Sequence, residues 1–256
     1  MKTSKRDITS NASAFPNVRF ENNSQLTSFA GIQIFSELFA SSNLKARLRS
    51  CSSHLNLSTQ YSPSSILFLL ITHAILGFSR LRDVECYQND PLVSRFLGLG
   101  TIPSAPTVSR MLSRMDSTAA DKLVEFVESN VIEQLRALDL KRVTIDFDGS
   151  VCATNAHAEG TAVGFNPKKK GQRSYYPLFA TISQLDQVLS VLHRSGNVHD
   201  SHKAKEFMTR IVELVRKALP DAIIEVRADS AFYSDEILGT LEKLRTKFTI
   251  SVPFEC

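Results

Sequence analysis

The chain has 256 residues, of which 43% are hydrophobic and 22% charged; that composition gives enough apolar material for a core and excludes a disordered or collagen-like chain. A net charge of +4 falls far short of a polycation yet suits a nucleic-acid partner. Four scattered cysteines, Cys51, Cys86, Cys152 and Cys256, have neither zinc-ligand spacing nor the density of a disulfide framework, which predicts a reducing, cytoplasmic compartment.

Residues 1–24 are rich in Ser, Asn, Lys and Arg, lack the apolar stretch of a signal peptide, and read as a loosely ordered tail. From 25 to 140 the pattern is helical. Phe29, Ile32, Ile34, Phe35, Leu38 and Phe39 follow a period of about 3.6 residues. Ser62-Pro63 opens a helix as cap and first-turn proline. The apolar run Ile66 to Phe78 within it is too short to span a bilayer and reads as a buried helix. Asp90-Pro91 repeats the opening, and Gly98-Leu-Gly100 closes the helix that follows. A short helix is expected from Thr107 to Met115, with Arg110 and Arg114 on one face. DNA recognition and an exposed arginine pair on a packed helix fit it equally. A longer amphipathic helix carries Leu123, Val124, Phe126, Val127, Val131, Ile132 and Leu135 on its apolar side.

At residue 141 the period becomes extended. Strands are expected at Val143–Val151, Tyr175–Leu185, Gln187–His193, Ala222–Arg227 and Phe248–Val252, with a polar loop at 156–173. Leu185-Asp186 serves the second turn without the favoured glycine. Helices are expected from a Ser201 cap to Leu219 and from a Ser234 cap to Leu244. This succession is a meander followed by a right-handed crossover that lays the fourth strand beside the first. It is the topology of a ribonuclease H-like fold, a mixed sheet of strand order 3-2-1-4-5. The predicted chain is therefore α+β or α/β, with a tail (1–24), an all-helical, DNA-binding domain (25–140) and a ribonuclease H-like core (141–256).

Two strings carry the chemistry, Val143-Thr-Ile-Asp-Phe-Asp-Gly-Ser150 and Glu225-Val-Arg-Ala-Asp-Ser-Ala-Phe-Tyr233. Each is an apolar run that delivers an aspartate to a strand end, where charge usually holds a metal or does chemistry. Asp146 and Asp148 alternate with Ile145 and Phe147 and so share a face. If the first and fourth strands are neighbours, Asp148 and Asp229 meet as hard oxygen ligands for a divalent cation acting on a phosphodiester. Taken alone, each acid fits a turn or a cap as well. Between the first two strands, Lys168, Lys169, Lys170 and Arg173 form a cationic loop followed by Tyr175. The cations suit a phosphate backbone and the tyrosine could stack or bond phosphate, while a solvated charge run fits the same residues. His199-Asp-Ser-His202 reads as a turn and cap, not a metal cluster.

Ile145-Asp-Phe-Asp-Gly-Ser150, Glu159-Gly160, Gly164-Phe-Asn-Pro-Lys-Lys169, Arg173-Ser-Tyr-Tyr-Pro-Leu178, Gly196-Asn-Val-His199 and Val226-Arg-Ala-Asp-Ser-Ala-Phe-Tyr233 together resemble the DDE transposases of bacterial insertion sequences. Phe29-Ala-Gly31, Leu76-Gly-Phe-Ser-Arg-Leu-Arg-Asp83, Asp90-Pro91 and Pro103 to Arg110 extend the resemblance into the helical half. The group it resembles most is the one typed by insertion sequence 1380, related to the Tn-five group. The resemblance implies a Mg2+-dependent enzyme, with Mn2+ as substitute. Such an enzyme binds double-stranded DNA at terminal inverted repeats, hydrolyses a strand at the element end, and directs the freed 3′-hydroxyl at target DNA. It implies a bacterial, nucleoid-associated protein, compatible with a homodimer and without a membrane partner. Asp148 matches the first family aspartate, with Asp146 as the alternative for that place, and Asp229 the second; both would be catalytic and hold the metal.

The third family acid is a glutamate on a later helix, and nothing matches it before Glu255-Cys256. The expectation is a C-terminally truncated transposase whose two acids hold one ion weakly, and whose sheet is left with uncovered apolar surface. Two other readings stand beside it. One is a non-catalytic DNA-binding transposase remnant. The other is a phosphohydrolase of the haloacid-dehalogenase type, whose Asp-x-Asp-Gly-Thr loop Asp146-Phe-Asp-Gly-Ser150 resembles, with Asp146 as covalent nucleophile.

Overall fold

The computed structural model describes residues 26–55, 57, 60–155, 157–164, 170–199 and 202–252. The described residues divide into two compact units, one within 1–44 and 59–113, the other within 45–58 and 114–256. This differs from the division expected at residue 140.

The first unit is helical. A 3-10 turn, Ala30–Ile34, leads into α1 (Phe35–Ser41). Next in the chain is α2 (Leu44–Ser52), which apart from its first residue belongs to the second unit. Then come α3 (Pro63–Ile75), a 3-10 segment Leu81–Cys86, α4 (Pro91–Leu97) and α5 (Ala105–Leu112). Ser62 caps α3 by accepting from the Ser65 N–H. Asp90 caps α4 by accepting from the N–H groups of Leu92 and Val93 at 2.9 and 3.0 Å. Gly98 ends that helix at φ 72°, a left-handed value that suits a residue without Cβ. The α5 helix stops at Leu112, short of Met115. Ser113 turns its hydroxyl back to the Arg110 carbonyl, and Asp116 already caps the next helix. Arg114 thus lies past the helix end, in the second unit, and does not share a face with Arg110.

The second unit opens its sheet region with α6 (Ser117–Leu138) and β1 (Arg142–Gly149). Three short strands follow, β2 (Cys152–Ala153), β3 (Ala162–Val163) and β4 (Arg173–Tyr175), then β5 (Leu178–Ile182) and β6 (Gln187–Leu192). Last come α7 (Ala204–Ala218), β7 (Ile223–Ala228), a 3-10 turn Ser230–Phe232, α8 (Asp235–Lys243) and β8 (Lys247–Ile250). Five strands form a mixed sheet in the order β6-β5-β1-β7-β8, with β1 antiparallel to β5 and parallel to β7. A smaller sheet, β2-β4-β3, occupies what was expected to be a loop. The strand expected from Tyr175 to Leu185 is broken at Pro177, which has no N–H for a ladder; Tyr175 belongs to the small sheet and Leu178 opens β5. Asp186 supplies the missing glycine's conformation at φ 50°. The expected Ser201 cap lies outside the described residues; Lys203 precedes α7 at φ 55°. Ser234 does cap α8, accepting from the Ile237 N–H.

The core lies on one face of the large sheet. Val143, Ile145 and Phe147 of β1, with Ile224 and Val226 of β7, are buried with Val131 and Leu135 of α6, Met208 and Ile211 of α7, and Ile237 and Leu241 of α8. One turn of α6 departs from the expected stripe. Val127 is 41% exposed while Glu128 is buried, because Glu128 accepts from Ser190 of β6 and from both terminal nitrogens of Arg210 on α7. The opposite sheet face carries Thr144, Asp146 and Asp148 of β1, Glu225 and Arg227 of β7, and Lys247 and Thr249 of β8. Of the apolar surface expected at open strand edges, Val188 and Val191 of edge strand β6 are exposed, with Ile223, on a face that is otherwise mainly polar. Among the described residues no helix is long and apolar enough to cross a membrane, and Cys51, Cys86 and Cys152 are free thiols.

Candidate active site

Strand register builds the site. In the parallel pair, Asp146 stands opposite Arg227 and Phe147 opposite Ala228, where the pairing ends. Asp148 and Asp229 are the next residues on their strands, so they emerge at the same end of neighbours about 4.8 Å apart. Alternation puts both on the polar face with Asp146 and Arg227. Both are exposed. Asp229 keeps an extended backbone and caps the 3-10 turn, Oδ1 accepting from the Ala231 N–H at 3.1 Å. Phe232, 1% exposed, anchors that turn in the core. The cap and the strand-end acid are therefore one residue, and capping occupies one of its two oxygens.

Asp146 is placed differently. Arg227 bonds it twice, Nε to Oδ1 at 2.6 Å and Nη2 to Oδ2 at 2.8 Å, and the Ser183 hydroxyl also donates to Oδ2. Arg227 Nη2 reaches the Ser183 hydroxyl at 2.7 Å, closing a triangle. Arg227 holds the Asp146 carboxyl below the ordinary carboxylate range, against a contrary push from partial burial and with further help from Ser183. An aspartate so engaged is a poor nucleophile, and β1 continues into β2 where a phosphohydrolase of the type considered above would enter a helix. Arg227 and Ser183 were missed in the sequence. Arg227 could have been found by extending the period-2 alternation, since it lies two places before Asp229 and must share its face.

Beyond Asp148 the β1–β5 pair bends into the small sheet. The Ser150 N–H donates to the Pro177 carbonyl, and Cys152 pairs with Tyr175. The flap so formed rises from the acid end of the large sheet. Its proposed DNA contacts divide three ways. Lys168 and Lys169 lie outside the described residues. Lys170 is exposed beside Gly171, which turns at φ 78°. Arg173 and Tyr175 build the flap itself: Arg173 donates to the hydroxyl and carbonyl of Thr161, and the Tyr175 hydroxyl donates to the Glu159 carbonyl. The Tyr175 ring lies 4.6 Å from that of His193. Arg194, 4% exposed, ties the flap base to the chain after β6 through the carbonyls of Tyr176 and His202; an arginine in a loop gave no sign of such burial. Arg110, in the other unit, folds onto the Pro106 carbonyl and the Thr107 hydroxyl of its own helix. His202 and His199 are joined by a backbone turn. Among the described residues no group of three acidic, histidine or cysteine side chains is arranged to hold a metal.

The family model described as transposase DDE domain group 1 matches residues 14–254. No curated protein matches the sequence. Among solved structures, the chain is similar to the piggyBac transposase in its synaptic complex with hairpin DNA, at 11% identity and a TM-score of 0.42, over 85% of this chain and 49% of that one. It is similar to the Drosophila P element transposase in its strand transfer complex at 10% identity and a TM-score of 0.34, over 85% and 47%. A third, the Mos1 mariner paired end complex with Mn, has 9% identity and a TM-score of 0.30, over 88% and 68%. The chain spans about half the length of the piggyBac and P element proteins it matches.

Proposed function

The chain belongs to the transposase DDE domain group 1 family, and we propose on that premise that it is a DNA transposase whose Asp148 and Asp229 hold a divalent cation, Mg2+ or Mn2+, for cleavage of transposon ends. The observation that carries this reading is the β1–β7 register, which ends one residue short of both acids. Like charges opposite each other across strands repel, and a cation relieves that. Two carboxylate ligands suit Mg2+, which usually keeps several of its waters. Such an ion supplies activation of water and neutralises charge on the phosphodiester. Asp148 is the first acid in preference to Asp146 because it stands level with Asp229, one residue past the end of the β1–β7 register.

The sheet order, with α7 as the crossover into β7, supports a ribonuclease H-like core. The insertion sequence 1380 group, attack of the 3′-hydroxyl on target DNA, assembly as a homodimer and work at the bacterial nucleoid complete the proposal. Lys168, Lys169 and Lys170 would follow the DNA backbone, while Arg173 and Tyr175 build the flap. The second reading is a non-catalytic DNA-binding remnant; among the described residues no group of three acidic, histidine or cysteine side chains is arranged to hold a metal.

The test uses the full chain and a labelled duplex bearing the DNA that borders its coding sequence. Strand cleavage in Mg2+ or Mn2+ that is lost in Asp148→Ala and in Asp229→Ala is the expected result. Binding without cleavage, unchanged by either substitution, overturns the catalytic reading in favour of the remnant.

A further inference from the structure

We propose that Arg227 is a positioning residue for the acid pair, clamping β1, β7 and the turn after β5 one rung below Asp148 and Asp229; this rests on the metal reading above. Paired register between β1 and β7 stops at Phe147–Ala228. Beyond that point β1 stays paired with β5 through Asp148 and Gly149, while β7 leaves the sheet into a 3-10 turn. The two acids therefore sit where the strands begin to diverge. One rung below them on that face, the triangle of Asp146, Arg227 and Ser183 ties the strands, with its sides at 2.5–2.8 Å. Ser183 is itself fixed, its N–H donating to the Thr144 carbonyl at 3.1 Å.

The form of the tie points to geometry over stability. The Arg227 side chain is 51% exposed, and exposed ion pairs contribute little to folding. A planar guanidinium that bonds both oxygens of one carboxylate fixes distance and orientation together, which a lysine cannot do. The same contacts close Asp146 to an incoming cation, so the ion meets only the outer rung. Arg227 thus holds the last paired rung from which the two ligating carboxylates emerge.

The experiment titrates the full chain with Mn2+, following the free ion by electron paramagnetic resonance, and records a thermal melt for every variant. Arg227→Lys, Arg227→Gln and Asp146→Asn are each expected to weaken Mn2+ binding about tenfold. The double variant Asp146→Asn/Arg227→Gln is expected to be no worse than either single one, because a shared clamp is lost only once. Ser183→Ala, the mildest change, gives a smaller loss and covers the case of an Arg227 variant that does not fold. Full binding by Arg227→Lys overturns the clamp in favour of simple charge. Loss of binding in Asp146→Asn as complete as in Asp148→Ala makes Asp146 a ligand and overturns it too. Wild-type binding by all clamp variants overturns the clamp and leaves the metal reading intact. A wild-type chain with no Mn2+ binding sensitive to Asp148→Ala refutes the metal reading itself, and the clamp with it.

Discussion

Asp146 and Asp148 stand two positions apart on one strand face, yet their surroundings give them different work. The depressed pKa of Asp146 in the folded state makes its ion pair a stabilising element above the unfolded value of about 3.9, one that is lost as pH falls through the lower folded value. The melting temperature of wild type should therefore exceed that of Asp146→Asn by a small, constant margin between about pH 5 and 8, and the margin should close below about pH 4. Melts across pH check this; a margin that widens in acid contradicts it. Gly164 and Gly196 make a second residue-scale case. A Cβ on Gly196 would lie 2.7 Å from the Ala162 carbonyl oxygen and nearer still to that of Ser174, and one on Gly164 would run into the Gly196 carbonyl. Gly164→Ala and Gly196→Ala should each lower stability by about 2 kcal/mol in urea unfolding, with the double variant less than additive. The sequence displayed Asp148 and Asp229 because each ends an apolar run. It hid their surroundings, since a hydrogen-bond triangle drawn from β1, β7 and a turn has no local pattern.

At the scale of elements, Glu128 joins three of them, bonding β6 and α7 from within α6. Its side chain is 10% exposed and that of Arg210 is 48% exposed. Glu128→Ala releases a guanidinium that water can reach, whereas Arg210→Ala leaves a buried carboxylate with one hydroxyl partner. Arg210→Ala should cost about 2–4 kcal/mol and Glu128→Ala about 1–2, by denaturant titration. The reverse order would show that Glu128 is bound mainly by Ser190. Most of the helices, though not α2, and the five large-sheet strands are legible from period and punctuation: Ser62-Pro63, Asp90-Pro91 and Ser234 all cap helices. The flap is not. Its strands are two or three residues long, too short for alternation to register, and Pro177 was read through although it separates β4 from β5. Val127 and Glu128 exchanged places for a related reason, because a hydrophobic stripe cannot foresee a buried ion pair.

For the whole molecule, periodicity revealed that α6 has an apolar side but not what that side would meet. Val131, Ile132 and Leu135 join the core of the sheet, so the change of period at residue 141 marks a change of secondary structure and not the edge of a compact unit. The DNA binding proposed above belongs to this scale and is tested on the full chain. Affinity for duplex should fall as salt rises, and Lys170→Ala should reduce the log–log slope by about 0.9 without favouring any sequence. Equal slopes for wild type and Lys170→Ala would remove that lysine from the DNA contact.

The parallel pairing of β1 with β7 has one more consequence. Between the two strands the chain passes through the flap, β5, β6 and the α7 crossover, so a nascent polypeptide that has delivered its first acid must still fold a meander and a helix before the second arrives. On the proposed reading, the acid pair that would hold the cation exists only once β7 docks, so unfinished products on the ribosome lack that site.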